Sequence, residues 1–208
     1  MEILNQIAEF LEKGEDKSVH DLTEQALKNG VPATQILNQA LIAGMDVIGE
    51  KFRAHEIFLP DVLLAARAMQ AGMELLKPLL TLAEQSGLGK IVIGTVKGDL
   101  HDIGKNLVGI MLKGAGFEVI DLGKDVSPEK FVDTAINEKA GIIGMSALLT
   151  TTMPVMNNVV ELLKQKKLKD QIKVIVGGAP ASEEFAAEIG ADAYAFDAAS
   201  AVERVKQL

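Results

Sequence analysis

The chain of 208 residues contains no cysteine and no tryptophan, one tyrosine and seven phenylalanines. The missing cysteines exclude disulfides, thiolate metal sites and cysteine nucleophiles together. So few aromatic residues leave no platform on which nucleic-acid bases could stack. Positive charge is also short: 21 Lys and Arg stand against 29 Asp and Glu, a formal net charge of −8. A general affinity for nucleic acid or for an anionic membrane surface is therefore not expected. No apolar run is long enough to span a bilayer. Met1 leads into a charged amphipathic pattern, unlike the apolar core of a signal peptide, so the expected location is cytoplasmic.

Hydrophobic residues make up 48% of the chain, ample for packed cores. The first part reads as helix. Ile3, Ile7, Phe10 and Leu11 recur at helical spacing, and Gly14 stops that run. Asp16 is a candidate N-cap for a second helix that buries Val19, Leu22, Ala26 and Leu27 and ends at Asn29-Gly30. A third starts near Pro32, carries Ile36, Leu37, Ala40, Leu41 and Met45, and ends around Phe52. Pro60 suits the first turn of a fourth, and Pro78 should kink or end it. Phe52 and Phe58 read as amphipathic-core residues, and Met45, Met69 and Met73 as bundle interior. Four helices with short connections form a bundle, with domain limits at residues 1–86.

After Ser86-Gly87-Leu88-Gly89, which reads as a linker, the pattern changes. Short apolar runs alternate with helical stretches: Ile91–Thr95, Phe117–Asp121, Gly141–Met145, Val174–Val176 and Ala193–Ala195. Ser127-Pro128 supplies an N-cap and first turn for one of the helices between them. Five β–α units over residues 90–208 predict a doubly wound, five-stranded parallel sheet of flavodoxin or Rossmann type. The fold class is thus α/β, preceded by a helical bundle. Ligands of such sheets sit beyond the carboxyl ends of the strands.

Those strand exits carry the candidate site. After the first comes Gly98-Asp99-Leu100-His101-Asp102-Ile103-Gly104, a D-x-H-x-x-G pattern. A carboxylate can take an imidazole Nδ1–H and leave Nε2 free for a metal, and a glycine lets backbone approach a bulky ligand. After the third comes MSALLTTTM, with Ser146, Leu148, Thr150 and Thr152. Gly177-Gly178 follows the fourth, and Ala198 closes the segment after the fifth. Singly, each has an ordinary reading: a capping histidine, an N-cap hydroxyl, a tight turn. Their shared placement on one sheet edge points to a single ligand. Asp102 and Lys105 read as exposed residues at the start of the following helix, and His20 and His55 as surface residues.

Together these segments resemble the cobalamin-binding domain of methionine synthase and its relatives. The segment GMDVIGEKFRAHEIFLPDVLLAARAM (44–69) resembles the helical cap of the same family. The likeness covers nearly the whole chain and is to stand-alone corrinoid proteins of methyltransferase systems. It implies cobalamin bound base-off and His-on, in methylated or Co(I) form. His101 would be the lower axial ligand to cobalt, Asp99 its hydrogen-bond partner, and Thr152 the hydroxyl behind Asp99 where the family has serine. Ser146, Leu148 and Thr150 would line a slot for the displaced nucleotide tail, with Gly177 and Gly178 giving it room and Ala198 against it. Phe52, Leu59 and Val62 match cap positions over the methyl-bearing face of the corrin. The resemblance implies a carrier that takes a methyl group from a substrate-specific methyltransferase. It would pass that group to a second, acting on tetrahydrofolate or a thiol, with a reductive activator as a further partner. Rival readings are a cobalamin-binding regulatory or sensor module, which would need an output element; the B12-binding subunit of an adenosylcobalamin mutase, which would need a separate barrel; and a flavodoxin-like domain for another nucleotide, which leaves the Asp99–His101 pair unexplained.

Overall fold

A computed structural model of the chain describes residues 2–80 and 89–208. The reading of Ser86–Leu88 as linker lies outside the described residues. Contacts divide the chain into two compact units: Met1–Gly87 with Lys113–Gly116, and Leu88–Leu112 with Phe117–Leu208.

The first unit is helical. Helices α1 (Glu2–Glu12) and α2 (Asp16–Lys28) are followed by α3 (Ala33–Ile36), which runs through a π-helical stretch, Leu37–Ile42, into α4 (Ala43–Arg53). Helix α5 (Leu59–Leu76) passes into a 3₁₀ turn, Lys77–Leu79, at Pro78. The third predicted helix is therefore continuous in path but wound differently in its middle. Ile7, Leu11, Val19, Ile36, Leu41, Ile48 and Leu76 are fully buried and form the heart of this unit. Two local expectations are corrected. The N-cap of α2 is Glu15, not Asp16; the Asp16 carboxylate instead pairs with Arg67 of α5. Phe58 is not core: it is the N-cap of α5, 68% exposed, and its backbone N–H donates to Asp61 Oδ2 at 2.9 Å.

The second unit is the α/β domain. Its strands are β1 (Lys90–Thr95), β2 (Glu118–Asp121), β3 (Ile142–Ser146), β4 (Lys173–Gly177) and β5 (Ala193–Ala195). Its helices are α6 (Ile103–Gly114), α7 (Pro128–Glu138), α8 (Pro154–Gln165), α9 (Glu183–Ile189) and α10 (Ala198–Gln207). The strands are all parallel in the order β2-β1-β3-β4-β5, which places the topological switch between β1 and β3. Ser127 caps α7 as the sequence suggests, accepting from the Lys130 N–H at 3.3 Å.

Alternation along the strands separates two faces. One carries Val92, Ile143, Val174 and Val176 into a dense core with Phe131 of α7 and with Met156, Val160 and Leu163 of α8. The other carries Ile91, Ile93 and Ile175, which line a cavity with residues of α6 and α10. One glycine sets the spacing of the packed face. A methyl group on Gly94 would lie 2.7 Å from Phe131 Cζ and 2.8 Å from Cε1, and that ring is fully buried. Gly94→Ala should therefore destabilise the α/β unit by about 2 kcal/mol through overpacking. In a Phe131→Leu background the added cost should at least halve, because the obstructing ring is gone. Urea denaturation of the four variants of this cycle measures it; strict additivity would contradict the packing described here.

Candidate functional site

The loop between β1 and α6 is held before it reaches any ligand. Thr95 is fully buried, and its hydroxyl donates to the His101 carbonyl at 3.2 Å. Asp125, in the left-handed region at φ 57°, accepts the Gly98 N–H at 2.8 Å, and its own N–H donates to the Asp99 carbonyl at 3.2 Å. The chain thus presents Asp99 inward and Leu100, His101 and Ile103 outward.

Asp99 is fully buried, yet its carboxylate is surrounded by donors. Oδ1 accepts the His101 backbone N–H at 3.0 Å and faces His101 Nδ1 at 2.8 Å. Oδ2 accepts the N–H groups of Leu148 and Leu149 at 2.8 and 3.2 Å and lies 3.0 Å from the Thr152 hydroxyl. Burial by itself would raise the Asp99 pKa. The donors from His101, Leu148 and Thr152 outweigh it and hold the carboxyl well below the usual carboxylate range. An ionised carboxylate can only accept, so the proton of the imidazole sits on Nδ1 and the lone pair is on Nε2. The His101 side chain is 53% exposed, so that lone pair is offered to a ligand. Thr152 is buried and also lies 2.8 Å from the Leu149 carbonyl; its single proton serves one acceptor at a time.

Beside His101 a cavity of about 800 Å³ extends along the sheet face between α6 and α10. Of the residues predicted to form the site, Leu100, His101, Asp102, Ile103, Gly104, Ser146, Leu148, Gly177, Gly178 and Ala198 line it. Gly98, Asp99 and Thr152 lie behind that surface and position His101. Thr150 is brought to neither place: it is exposed and outside the lining, because the turn after β3 folds its Leu148, Leu149 and Thr152 polar groups over Asp99. In the helical unit Phe52 is half-buried and Leu59 is 39% exposed, while Val62 is fully buried in that unit's core.

The glycines divide by what requires them. Gly178 is needed by the chain itself: its φ is 119°, and a Cβ there would fall 1.9 Å from the Ala147 carbonyl oxygen. Gly104 is not: a Cβ there would meet nothing within 4 Å. Gly144, unremarked in the sequence, lies between Ile93 and Ile175 in the strand register, so the sheet face dips there. Lys105 overturns its predicted exposure. Only 4% of it is accessible, and its ammonium lies 2.6 and 2.5 Å from the Asp121 oxygens and 2.7 Å from Asn106 Oδ1. The usable signal was Asp121 itself, an aspartate ending a strand beside β1. Among the described residues no group of three His, Asp or Glu forms a metal site, and no helix is long and apolar enough to cross a membrane. His101 therefore stands alone, with one ring nitrogen held by Asp99 and the other open.

A doubly wound sheet with a deep slot beyond its strand ends has the form of a ligand-binding domain. Comparison with known proteins gives the particular class. A B12 binding domain family matches residues 89–206, and a second B12 binding domain family matches residues 3–77. The chain belongs to the B12 binding domain family. It is 45% identical over 208 residues to a dimethylamine corrinoid protein of Methanosarcina barkeri, covering 100% of this chain and 97% of that one. The structure of a cobalamin-binding protein from Desulfitobacterium hafniense superposes with a TM-score of 0.79 at 35% identity, over 98% of this chain and 97% of that one. A chain of the methanol:cobalamin methyltransferase complex of Methanosarcina barkeri superposes with a TM-score of 0.82 at 32% identity, over 97% of this chain and 77% of that one. Corrinoid binding follows from this membership, and the residues fit it. The free Nε2 suits an axial position, the slot suits a long appendage, and the open side of Gly104 is space this chain does not itself fill.

The donors on Asp99 make a pH prediction. Its folded pKa lies below the ordinary aspartate value of 3.8, so its ionised form stabilises the fold at all pH values above about 3.8. That contribution is lost as pH falls through the window below 3.8. Asp99→Asn should be destabilised by about 2–3 kcal/mol at pH 7, the range for hydrogen bonds to a charged group. The gap from the parent protein should stay constant down to pH 5 and narrow below pH 4. Chemical denaturation across that range measures it, and a gap that does not change between pH 5 and pH 2.5 would contradict the assignment.

Proposed function

We propose that this chain is a cytoplasmic methyl carrier that binds cobalamin base-off and His-on and works between two methyltransferases. The single observation that carries the reading is the His101 imidazole, fixed by a buried, ionised Asp99 and open at Nε2 beside an 800 Å³ slot. When bound, the corrinoid supplies a cobalt that can take up and give up a methyl group.

The residues of the chain have defined tasks in this reading. Asp99 keeps the His101 Nδ1–H engaged, which orients the ring and raises the basicity of Nε2. The donors converging on Asp99 keep it ionised, so the proton between the two groups stays on His101 Nδ1. Thr152 stands behind Asp99, its hydroxyl placed between Asp99 Oδ2 and the Leu149 carbonyl. Ser146, Leu148, Gly177, Gly178 and Ala198 border the slot for the nucleotide tail. Phe52, Leu59 and Val62 stand at positions that the resemblance gives to the family's helical cap, and of these Val62 is buried in the core of the helical unit.

In this reading the activation of the methyl donor falls to a partner enzyme. The relatives support that division: one is named for dimethylamine, and another structure is of a methyltransferase complex. A substrate-specific methyltransferase, a second one acting on tetrahydrofolate or a thiol, and a reductive activator are the partners this requires. Labelled methyl groups from methylamines or methanol should appear in the protein-bound corrinoid when a matching methyltransferase is added to the reduced holoprotein. Failure with every donor, although the corrinoid is bound and reduced, would contradict the carrier reading.

A separate variant isolates the slot. Gly104→Leu adds a side chain where nothing stands within 4 Å and where a helix gains propensity. It should melt no lower than the parent protein, yet retain less than a tenth of its cobalamin after desalting. Full retention would place the cofactor elsewhere.

A further inference from the structure

The slot is not uniform along its length. Its mouth, at the carboxyl edge of the sheet, holds its polar side chains: His101, Asp102, Lys105, Ser146 and Asp197. Three of these are already committed. His101 Nδ1 is engaged by Asp99, and Lys105 is divided between Asp121 and Asn106. Asp197 accepts the Ser200 N–H at 2.7 Å as the cap of α10. Below the mouth the character changes. Gly104, Val108 and Leu112 put one face of α6 on the slot, and Ala198, Ala201 and Val205 put one face of α10 on it. From Gly104 to Leu112 the helix advances about 12 Å, the depth over which the wall is apolar. The sheet side is Ile91, Ile93 and Ile175, with the dip at Gly144 between the last two. The backbone groups of these strands are taken up by the parallel ladder. No side chain of the floor carries a hydrogen-bond donor or acceptor.

A ligand end that reaches this floor is therefore favoured the fewer polar atoms it carries. Resting on the reading that the nucleotide tail of a corrinoid enters here, we infer that the slot selects the lower base of the corrinoid. It takes an alkylated benzimidazole and discriminates against purines. A dimethylbenzimidazole presents methyl-bearing carbons at its far edge, which Ile91, Leu112 and Val205 can cover. An adenine base presents an exocyclic amine and additional ring nitrogens. Each would leave water for a wall that offers it no partner. The flat dip at Gly144 accommodates either ring by size, so the discrimination is by polarity rather than by volume.

The test compares three corrinoids on the wild-type chain by equilibrium dialysis with absorbance: cobalamin, the cobamide whose lower base is adenine, and cobinamide, which has no base. Cobalamin should bind at least tenfold more tightly than the adenine cobamide, within the range of about ten- to two-hundredfold that apolar pockets achieve. Cobinamide should also bind more weakly than cobalamin. Ala201→Phe, which fills the slot from α10, should weaken cobalamin more than cobinamide. Equal affinity for cobalamin and the adenine cobamide would overturn the selectivity while leaving the corrinoid reading in place. Equal affinity for all three would show that no tail enters the slot. Retention of none of them would instead remove the reading on which the inference rests. Because the comparison uses the unmodified protein, it decides the question even if the filled variant does not fold.

Discussion

The site depends on one buried negative charge. An isolated carboxylate at the centre of an α/β domain would be strongly unfavourable. Asp99 is tolerated because donors from two separate loops converge on it: the His101 backbone and ring from the loop after β1, and Leu148, Leu149 and Thr152 from the loop after β3. Those loops flank the point where strand order reverses, so the topology of the sheet brings them together. The charge in turn fixes the tautomer of His101 and joins the two loops. Orientation of the imidazole and integrity of the sheet edge are consequences of the same hydrogen bonds.

The slot is the second consequence of that edge. The packed face of the sheet is closed by α7 and α8 around Phe131, whereas the opposite face is left open between α6 and α10. Small residues keep it open: Gly104 at the start of α6, Gly144 in the central strand, and Ala198 and Ala201 on α10. A chain selected only for stability would fill such a space, since leaving an apolar cavity forfeits packing energy. The ligand proposed here would occupy both the slot and the open side of the imidazole.

Much of this was legible in the sequence, for specific reasons. Apolar runs of three to five residues between helical stretches mark the strands, and β5 falls at Ala193–Ala195 as the pattern indicates. Asp99-x-His101 was visible because side-chain chemistry carries its meaning. What escaped was whatever rests on backbone groups or on distant pairing. The N–H groups of Leu148 and Leu149 have no sequence signature, so the pattern does not show how they bind Asp99, nor that Thr150 stands outside the lining of the slot. Lys105 looked like a surface lysine because its partner, Asp121, comes from another strand. Phe58 looked like core because hydrophobicity does not reveal that a residue is an exposed helix cap. The π-helical stretch in Leu37–Ile42 left no mark on a pattern that both windings satisfy.

The central claim is that the His101 Nε2 meets the cobalt. Protein labelled with ¹⁵N-histidine, loaded with unlabelled cobalamin and reduced to Co(II), tests it by electron paramagnetic resonance. The nitrogen superhyperfine pattern should change from a triplet to a doublet on labelling and should vanish in His101→Ala. A pattern unaffected by histidine labelling, but altered when the dimethylbenzimidazole nitrogens of the cofactor are labelled instead, would mean that the base stays on the metal and that His101 does not bind it.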